Sequence, residues 1–279
     1  MTSPVIIADR YEVVRTLGSG AFGHTLLARD RQLGREVAVK VLHPRAASNW
    51  KAFELFEREA AVLRDLRHPG VPAVHTTFRT QWEGADAAFL VMEFIDGTPL
   101  ATLIAENRHL DSTEVMQILV DALSLLEYLH SRVPPILHRD IKPANLILRE
   151  DGTPALVDFG AVRNVFRAED DPGSTVVGTY GYMPYEQYMG QASASSDLFS
   201  LGATFLHLIT GRAPAQFMSG AGRLEVPASL PCDERLRVVL TRMLAPVPGD
   251  RFQSAREARA ALLGGVVAAP SSSIEASRS

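Results

Sequence analysis

The segment "ILHRDIKPANLIL" occupies positions 136–148 and concentrates polar chemistry between two apolar flanks. Three charged residues, a His, a Pro and an Asn stand in its centre, and the apolar residues on both sides predict buried strands. A charge that is buried without a partner is costly, so a run of this kind usually holds something other than water. The segment therefore predicts a functional site over residues 138–145.

The composition is that of an ordinary globular protein. The 279 residues are 46% hydrophobic and 22% charged, which is enough to build a sizeable core. The net charge of −4 and the pI of about 6.1 argue against a partner such as nucleic acid or an anionic membrane. The single cysteine, Cys232, excludes an intramolecular disulfide and fits a reducing compartment. No secretory signal and no apolar run of membrane-spanning length stand in the sequence, so we expect a cytoplasmic chain, or the soluble domain of a longer, membrane-tethered protein.

The pattern along the chain changes from strands to helices. Residues 11–42 alternate apolar and polar positions, which is typical of successive strands, and "AFLVMEFI" at 88–95 predicts a further strand. Residues 50–67 have helical spacing that ends at "HPGVP", and long helical patterns begin at about 112. The sequence thus predicts an α+β chain with a strand-rich N-terminal lobe over 11–93, a hinge over 93–97, a helical C-terminal lobe over 98–263, and a flexible Ser- and Ala-rich tail or linker over 264–279.

The stretch "GSGAFG", from Gly18 to Gly23, fits the pattern Gly-x-Gly-x-x-Gly. Glycines at these positions let backbone amides approach phosphate oxygens closely. Taken alone, the pattern more often marks a flexible hairpin turn than a phosphate site. A dinucleotide-binding site would need a helix directly after the glycines, and the strand-like "HTLLARD" that follows argues against it.

Lys40 stands inside the otherwise apolar strand pattern "REVAVKVL" at 35–42. A lysine on an edge strand, with its amine in water, would also give this pattern. The helical segment that follows favours a buried role, because Glu59 lies on the same stripe as Phe56 and Leu63. A carboxylate on a buried helix face needs an internal cation, and Lys40 is the candidate.

Seven short motifs follow one another along the chain: "GSGAFGHT", "VAVK" with Glu59 in "EREA", "HRDIKPAN", "DFG" at 158–160, "GTYGYMPYE", "SDLFSLG" and "DRF" at 250–252. In this order they resemble the eukaryotic-type (Hanks-type) protein kinase family, in its bacterial Ser/Thr branch. The resemblance covers the chain from Tyr11 to about Leu263. It implies the two-lobed protein kinase fold and transfer of the ATP γ-phosphate to Ser or Thr hydroxyls of proteins.

The resemblance also implies a role for each polar group of the site. Asp140 would orient the substrate hydroxyl and accept its proton, while Lys142 would offset charge on the moving phosphoryl group. Lys40, held by Glu59, would contact the α- and β-phosphates. The implied catalytic residues are thus Lys40, Glu59, Asp140 and Lys142, and the implied ligands of Mg²⁺ (or Mn²⁺) are Asn145 and Asp158.

An ATP pocket follows from the same resemblance. The glycine-rich loop would cover the phosphates, Leu17, Ala38 and Ile147 would sandwich the adenine ring, and Met92 would stand behind it. Backbone groups of Glu93 and Ile95 would bond the adenine edge. Thr25 departs from the family, which usually has Val there, but its similar shape should preserve packing on the ring. The full implied set is Leu17, Gly18, Ser19, Gly20, Ala21, Phe22, Gly23, Thr25, Ala38, Lys40, Met92, Glu93, Ile95 and Ile147.

Four further positions are expected to support the site. "MPYE" at 183–186 replaces the usual Ala-Pro-Glu, but Glu186 is kept and should pair with Arg251. Asp197 should brace the catalytic loop, and His138 should pack structurally rather than act as an acid or base.

An active Ser/Thr kinase is favoured over two alternatives. A pseudokinase acting as a scaffold would be indicated by loss of Lys40, Asp140, Asn145 or Asp158, and all four are present. A small-molecule phosphotransferase would usually lack the "GT…E" segment. The expected partners are protein substrates and the chain itself, through autophosphorylation at Ser174 or Thr175, where Arg139 could grip the phosphate.

Overall fold

The computed structural model describes residues 4–20, 23–42, 56–57, 60–159, 181–219 and 223–265, which fall into two compact units. The first unit contains the described residues up to Gly97 with 147–151 and 155–159, and the second contains Thr98–Leu146, Gly152–Pro154 and the described residues from 181 onward. Strands dominate the first unit and helices the second, so the predicted α+β class is confirmed. The predicted lobe, hinge and tail boundaries stay predictions.

The elements follow one another in an order that the sequence largely predicts. The strands predicted over 11–42 are present, whereas the helix pattern of 50–67 is described only at 56–57 and 60–64. The strands are β1 (Ile6–Ile7), β2 (Tyr11–Gly20), β3 (Gly23–Asp30), β4 (Arg35–Leu42), β5 (Val74–Trp82), β6 (Ala85–Glu93), β7 (Thr98–Pro99), β8 (Leu146–Leu148) and β9 (Pro154–Leu156). Beyond the helical residues at 56–57 and 60–64, the α-helices among the described residues are α1 (Leu100–Ala105), α2 (Ser112–His130), α3 (Tyr185–Tyr188), α4 (Ala194–Thr210), α5 (Glu234–Met243) and α6 (Ala255–Leu262).

The six-stranded antiparallel sheet of the first unit has the order β1-β2-β3-β4-β6-β5 and two unlike faces. On one face, Val39 packs into a core that contains the stacked rings of Phe78 and Phe89, whose centroids are 5.0 Å apart. Because side chains alternate along a strand, Lys40 points to the opposite face. The register places Thr25 opposite Lys40 on this second face. The sheet therefore separates an apolar core from a face that carries the lysine.

The second unit is built around α4, which is buried along most of its length. Ser193 caps its first turn and Gly211 ends it with a φ of +65°, a conformation that suits glycine. Helix α5 packs against α4, and α6 packs against α2. Although α4 is strongly apolar, no helix among the described ranges is both long and apolar enough to cross a membrane.

The two flanks of the 136–148 segment differ from each other. The C-terminal flank forms β8, as predicted, but Ile136 and the residue after it are half-buried and irregular, so the prediction of a buried strand before His138 was wrong. Pro134 and Pro135 directly precede this flank and cannot donate to a strand ladder. The Ile136 N–H instead donates to the carbonyl of Leu129, 3.1 Å away, near the end of α2.

Gly97 provides a test of the first unit, because its backbone closely approaches the chain at Ile147 and Leu148. A Cβ atom at Gly97 would lie 2.5 Å from the Leu148 carbonyl oxygen and 2.9 Å from Ile147 Cγ2. We expect Gly97→Ala to destabilise the domain by about 1–3 kcal/mol, since backbone has to move to remove the clash. Gly249→Ala is the matched control, because a Cβ there would meet no atom within 4 Å. Equal melting temperatures for the two variants would contradict the close approach.

Candidate active site

Asp140, Lys142 and Asn145 come together on the loop that leads into β8. The Lys142 ammonium donates to both carboxylate oxygens of Asp140, at 3.1 and 2.9 Å. Asn145, which ends a 3-10 turn begun by Pro143, donates through Nδ2 to Asp140 Oδ2 at 3.0 Å and to the Asp140 carbonyl at 2.8 Å. The carboxylate is thus held in one orientation by a cation and an amide while 21% of its side chain remains accessible.

The Asn145 amide has an orientation that its partners determine. Both of its hydrogen bonds run to oxygen atoms of Asp140 that only accept, so the nitrogen has to face them. The amide oxygen makes no hydrogen bond to the described residues. Neutral amide oxygens are among the hard ligands that Mg²⁺ accepts, so the residue fits a divalent cation at this oxygen.

A buried carboxylate, Asp197, holds the backbone just before Asp140. Its Oδ2 accepts the His138 N–H and its Oδ1 accepts the Arg139 N–H, both at 2.9 Å. His130 Nε2, at the end of α2, lies 2.9 Å from Oδ2. Burial alone would raise the pKa of Asp197, but the hydrogen bond and charge of His130, with those of the loop, lower it. The expected brace of the catalytic loop is therefore present, and His130 is a member that the sequence did not reveal.

Arg139 adopts a strained backbone that is fixed on both sides. Its φ of +65° lies in the left-handed region, where a residue other than glycine costs about 1–3 kcal/mol. Asp197 holds the N–H of this residue, and the side-chain amide of Gln187 donates to its carbonyl at 2.6 Å. The next residue is Asp140, so the strained backbone of Arg139 determines the position of the candidate catalytic carboxylate. Apart from its place next to Glu186, no feature of the sequence indicated a role for Gln187.

Glu186 and Arg251 form the predicted ion pair inside the second unit. Arg251 Nη1 lies 2.6 Å from Glu186 Oε1, and Nη2 lies 3.3 Å from Oε2. Arg251 is only 1% exposed, and Ser196 adds a hydrogen bond of 2.8 Å to Glu186 Oε1. Burial favours a higher pKa for Glu186, but the bonds from Arg251 and Ser196 outweigh it and lower the pKa. The pair ties α3 to the segment before α6.

A second buried contact, between Tyr182 and His207, was not predicted. The Tyr182 hydroxyl is hydrogen-bonded to Nδ1 of His207 near the end of α4. Burial raises the pKa of Tyr182 to about 12 and lowers the pKa of His207 below its usual value. The neighbouring Gly181, with a φ of +97°, packs so closely that a Cβ would lie 3.0 Å from the Ala215 nitrogen. The chain just before Glu186 is thereby attached to α4.

In the first unit, Lys40 and Asp158 meet directly. The Lys40 ammonium lies 2.8 Å from Asp158 Oδ1, and 21% and 32% of the two side chains are exposed. Asp158 has a φ of +59°, the same unusual region as Arg139. Glu59, the expected partner of Lys40, lies outside the described residues. The resemblance implies that Lys40 contacts the phosphates and that Asp158 holds the metal, and the structure brings these two side chains into contact.

The predicted adenine-binding residues also belong to the first unit. Gly20 at the end of β2 pairs with Gly23 at the start of β3, so the described glycines of the stretch belong to these two antiparallel strands. Ala38 lies directly opposite Met92 in the sheet, on the same face as Lys40. The remaining positions are Leu17 on β2, Glu93 at the end of β6, the buried Ile95, and Ile147 on β8. Arg149 and the Ala73 N–H hold the Glu93 carboxylate, each at 3.2 Å.

Several predicted residues lie outside the described part of the chain. They are Ala21 and Phe22 of the glycine-rich tip, Glu59, the candidate phosphorylation sites Ser174 and Thr175, the Thr179 position of the "GT…E" segment, and nearly all of the tail from residue 266 onward.

The Glu186–Arg251 pair generates a stability prediction. We expect Glu186→Gln to destabilise the protein by about 3 kcal/mol, roughly 6–12 °C in melting temperature, because the buried guanidinium loses its counter-charge. Since folding lowers the pKa of Glu186 below its ordinary 4.5, the stabilisation is present above pH 4.5 and is lost as the pH falls through the lower value. The melting temperatures of variant and wild type should therefore converge at acidic pH.

The control for this prediction is Glu106→Gln, which removes an exposed carboxylate. Thermal unfolding between pH 3.5 and 8 compares the two variants with the wild type. If Glu186→Gln and the Glu106→Gln control have the same melting temperature at neutral pH, the ion pair makes no net contribution to the free energy of unfolding.

Comparisons with known proteins agree with this geometry. The profile described as "Protein kinase domain" matches residues 11–258. The chain is 39% identical to serine/threonine-protein kinase PknA of Nostoc over 95% of its length, and 37% identical to serine/threonine-protein kinase C of Synechocystis over 91%. It covers 49% and 50% of those relatives, so the chain spans about half the length of the curated relatives it matches.

Solved structures give the same result. The crystal structure of the PknI kinase domain of Mycobacterium tuberculosis is similar with a TM-score of 0.70 and 31% sequence identity, over 94% of this chain and 97% of that one. The expected two-lobed kinase fold is confirmed by this likeness. The chain belongs to the protein kinase family, on its bacterial serine/threonine branch.

Proposed function

We propose that this domain transfers the γ-phosphate of ATP to Ser and Thr hydroxyls of proteins. The observation that carries the proposal is the Asp140 carboxylate, which Lys142 and Asn145 orient and which stays accessible. A carboxylate so placed can accept a hydrogen bond from an incoming hydroxyl and then its proton. The kinship with serine/threonine-protein kinases supports the choice of hydroxyl acceptor.

Lys142 serves the same step from the other side. Phosphoryl transfer passes through a loose transition state, so that positioning and charge balance account for most of the rate. The Lys142 ammonium, 2.9 Å from Asp140 Oδ2, holds that carboxylate in one orientation for the incoming hydroxyl. Its positive charge would also offset negative charge on the phosphoryl group as that group is transferred.

The nucleotide would be held by residues of the first unit. Lys40 supplies a cation for the α- and β-phosphates, and the β2–β3 hairpin supplies backbone amides for the same groups. Leu17, Ala38 and Ile147 would pack on the adenine ring, with Met92 behind it. Backbone groups of Glu93 and Ile95 would bond the adenine edge.

We propose that Asp158 and Asn145 are ligands of a divalent cation, Mg²⁺ or Mn²⁺, because each carries an oxygen donor of the kind that such ions prefer. Asp158 offers a carboxylate, and Asn145 offers the amide oxygen that its own hydrogen bonds leave unused. Protein kinases as a family use ATP with divalent metal ions, and Mg²⁺ typically takes only one or two protein ligands. When bound, the ion would neutralise charge on the phosphate oxygens. Asp158 and Asn145 would orient it.

The catalytic assignment is tested by removing one group at a time. Asp140→Asn keeps the size of the side chain but cannot accept the proton, and Lys40→Met removes the phosphate contact, so each should reduce transfer to a few per cent of wild type or less at saturating ATP. The assay measures transfer of labelled phosphate from ATP to casein and histone. Asp65→Asn, an exposed carboxylate elsewhere in the first unit, should retain full activity.

Two controls accompany this experiment. Melting temperatures establish that each variant is folded, and excess chelator should abolish wild-type transfer until Mg²⁺ is added back. Transfer by Lys40→Met above a few per cent would overturn the role of Lys40. A wild-type protein that binds ATP but transfers nothing would instead indicate a pseudokinase scaffold.

We also propose that the domain phosphorylates itself at Ser174 or Thr175. Added phosphate contributes about two negative charges and three acceptor oxygens, enough to order a segment against a cation such as Arg139. After incubation with ATP, mass spectrometry should find phosphate at one of these residues in the wild type and none in Asp140→Asn. Full activity in the Ser174→Ala, Thr175→Ala double variant would remove any activating role.

A further inference from the structure

Gln187 occupies an unusual position for a polar side chain. It is 7% exposed, lies within the short helix α3, and directs its amide toward the catalytic loop rather than toward its own helix. Its Nε2 donates to the carbonyl oxygen of Arg139 at 2.6 Å. Its Oε1 is buried without a hydrogen-bond partner among the described residues.

The orientation of this amide follows from its partner. A backbone carbonyl can only accept, so the nitrogen of Gln187 faces Arg139 and the oxygen is left without a bond. Leaving a buried amide oxygen unpaired is unfavourable. The Gln187 side chain therefore leaves Oε1 in an unfavourable environment while Nε2 donates to the Arg139 carbonyl. Only a residue with a buried, uncharged N–H or O–H donor meets this requirement.

The accepting carbonyl belongs to the strained residue that precedes Asp140. With a φ of +65°, the Arg139 backbone would relax toward ordinary values if nothing held it. Asp197 holds the N–H end of this residue at 2.9 Å, and Gln187 holds the carbonyl end. The carbonyl is part of the peptide unit that continues into Asp140. Rotation of this unit would turn the Asp140 backbone and displace its carboxylate.

The place of Gln187 is itself fixed by the residue before it. Glu186 is bound to Arg251 at 2.6 Å and to Ser196 at 2.8 Å, so the backbone of α3 has little freedom at this point. The Gln187 N–H also donates to the Pro184 carbonyl at 3.2 Å. The amide of Gln187 thus reaches Arg139 from a rigid base, which a hydrogen bond needs if it is to hold strained backbone.

We propose that Gln187 is a positioning residue for phosphoryl transfer, which holds the Arg139 carbonyl and thereby fixes the orientation of Asp140. The inference rests on the proposed kinase function and adds to it a residue that touches neither nucleotide nor hydroxyl. It requires that losing the donor lowers kcat while leaving the affinity for ATP unchanged.

Two substitutions separate the donor from the space it fills. Gln187→Leu keeps approximately the same volume without a donor, and kcat should fall about tenfold while KM for ATP stays within about twofold. Gln187→Glu has the same shape and can donate only when it is protonated. Burial and the facing carbonyl oxygen both raise the pKa of such a carboxyl above its ordinary value. The ratio of its kcat to that of wild type should therefore rise as the pH is lowered from 8.5 to 6.

Gln191→Glu is the matched control, because it makes the same change four residues further along at an exposed position. Its kcat relative to wild type should stay near one at every pH, and that of Gln187→Leu should stay low at every pH. Initial rates are measured with casein and histone as saturating acceptors, and melting temperatures are recorded for each variant. If Gln187→Leu does not fold, the pH dependence of the kcat of Gln187→Glu relative to wild type decides the test.

A rising ratio for Gln187→Glu, with a flat ratio for Gln191→Glu, supports the proposal. A kcat for Gln187→Leu within twofold of wild type overturns it. A loss of activity in Gln187→Glu that no pH recovers, accompanied by a lower melting temperature, also overturns it, because the role would then be structural only. Failure of the proposed kinase function has a different signature, since the wild-type protein itself would then transfer no phosphate.

Discussion

The second unit depends on the hydrogen bonds that the Asp197 carboxylate makes. This carboxylate is fully buried, and a buried negative charge is stable only if donors surround it. Two of these donors are the backbone amides of His138 and Arg139, and the third group is the ring of His130. One charge thus joins α4, the end of α2 and the loop that carries Asp140. The loop cannot move without leaving donors and acceptor unsatisfied in the interior, which is why a loop can hold catalytic side chains as firmly as a helix would.

Rigid surroundings allow the chain to use strained backbone where chemistry is proposed. Arg139 and Asp158 both have positive φ values, although neither is glycine. Each of these two residues lies at, or directly before, a carboxylate to which we assign a role. The strain is balanced by contacts on either side, as the bonds from Asp197 and Gln187 to Arg139 illustrate.

The sequence predicted those parts of the fold and site that have a periodic or charged signature. Strands over 11–42 and the helix after residue 112 leave such traces, because burial dictates residue type at regular spacing. The Glu186–Arg251 pair was expected only from the resemblance of the motifs to the kinase family. The prediction of a strand before His138 was wrong. It rested on an apolar run alone, and the two prolines directly before that run cannot donate to a strand ladder. Gln187 left no trace at all. An uncharged amide whose partner is a backbone carbonyl can be recognised only once the fold has brought the two together.

The contact between Lys40 and Asp158 has a consequence for which ligand the protein would accept. Each charge is neutralised by the other at 2.8 Å, so a ligand that engages one of them has to compensate the one left behind. A nucleotide without metal could replace Asp158 as the partner of Lys40, but it would bring phosphate oxygens toward the Asp158 carboxylate, which has the same sign of charge. A metal ion without nucleotide could replace Lys40 as the partner of Asp158, but it would leave two cations facing each other. The metal–nucleotide complex carries both signs and satisfies both groups at once. Under the roles proposed for them, the two side chains would favour the metal–nucleotide complex over the metal ion alone and over the nucleotide alone.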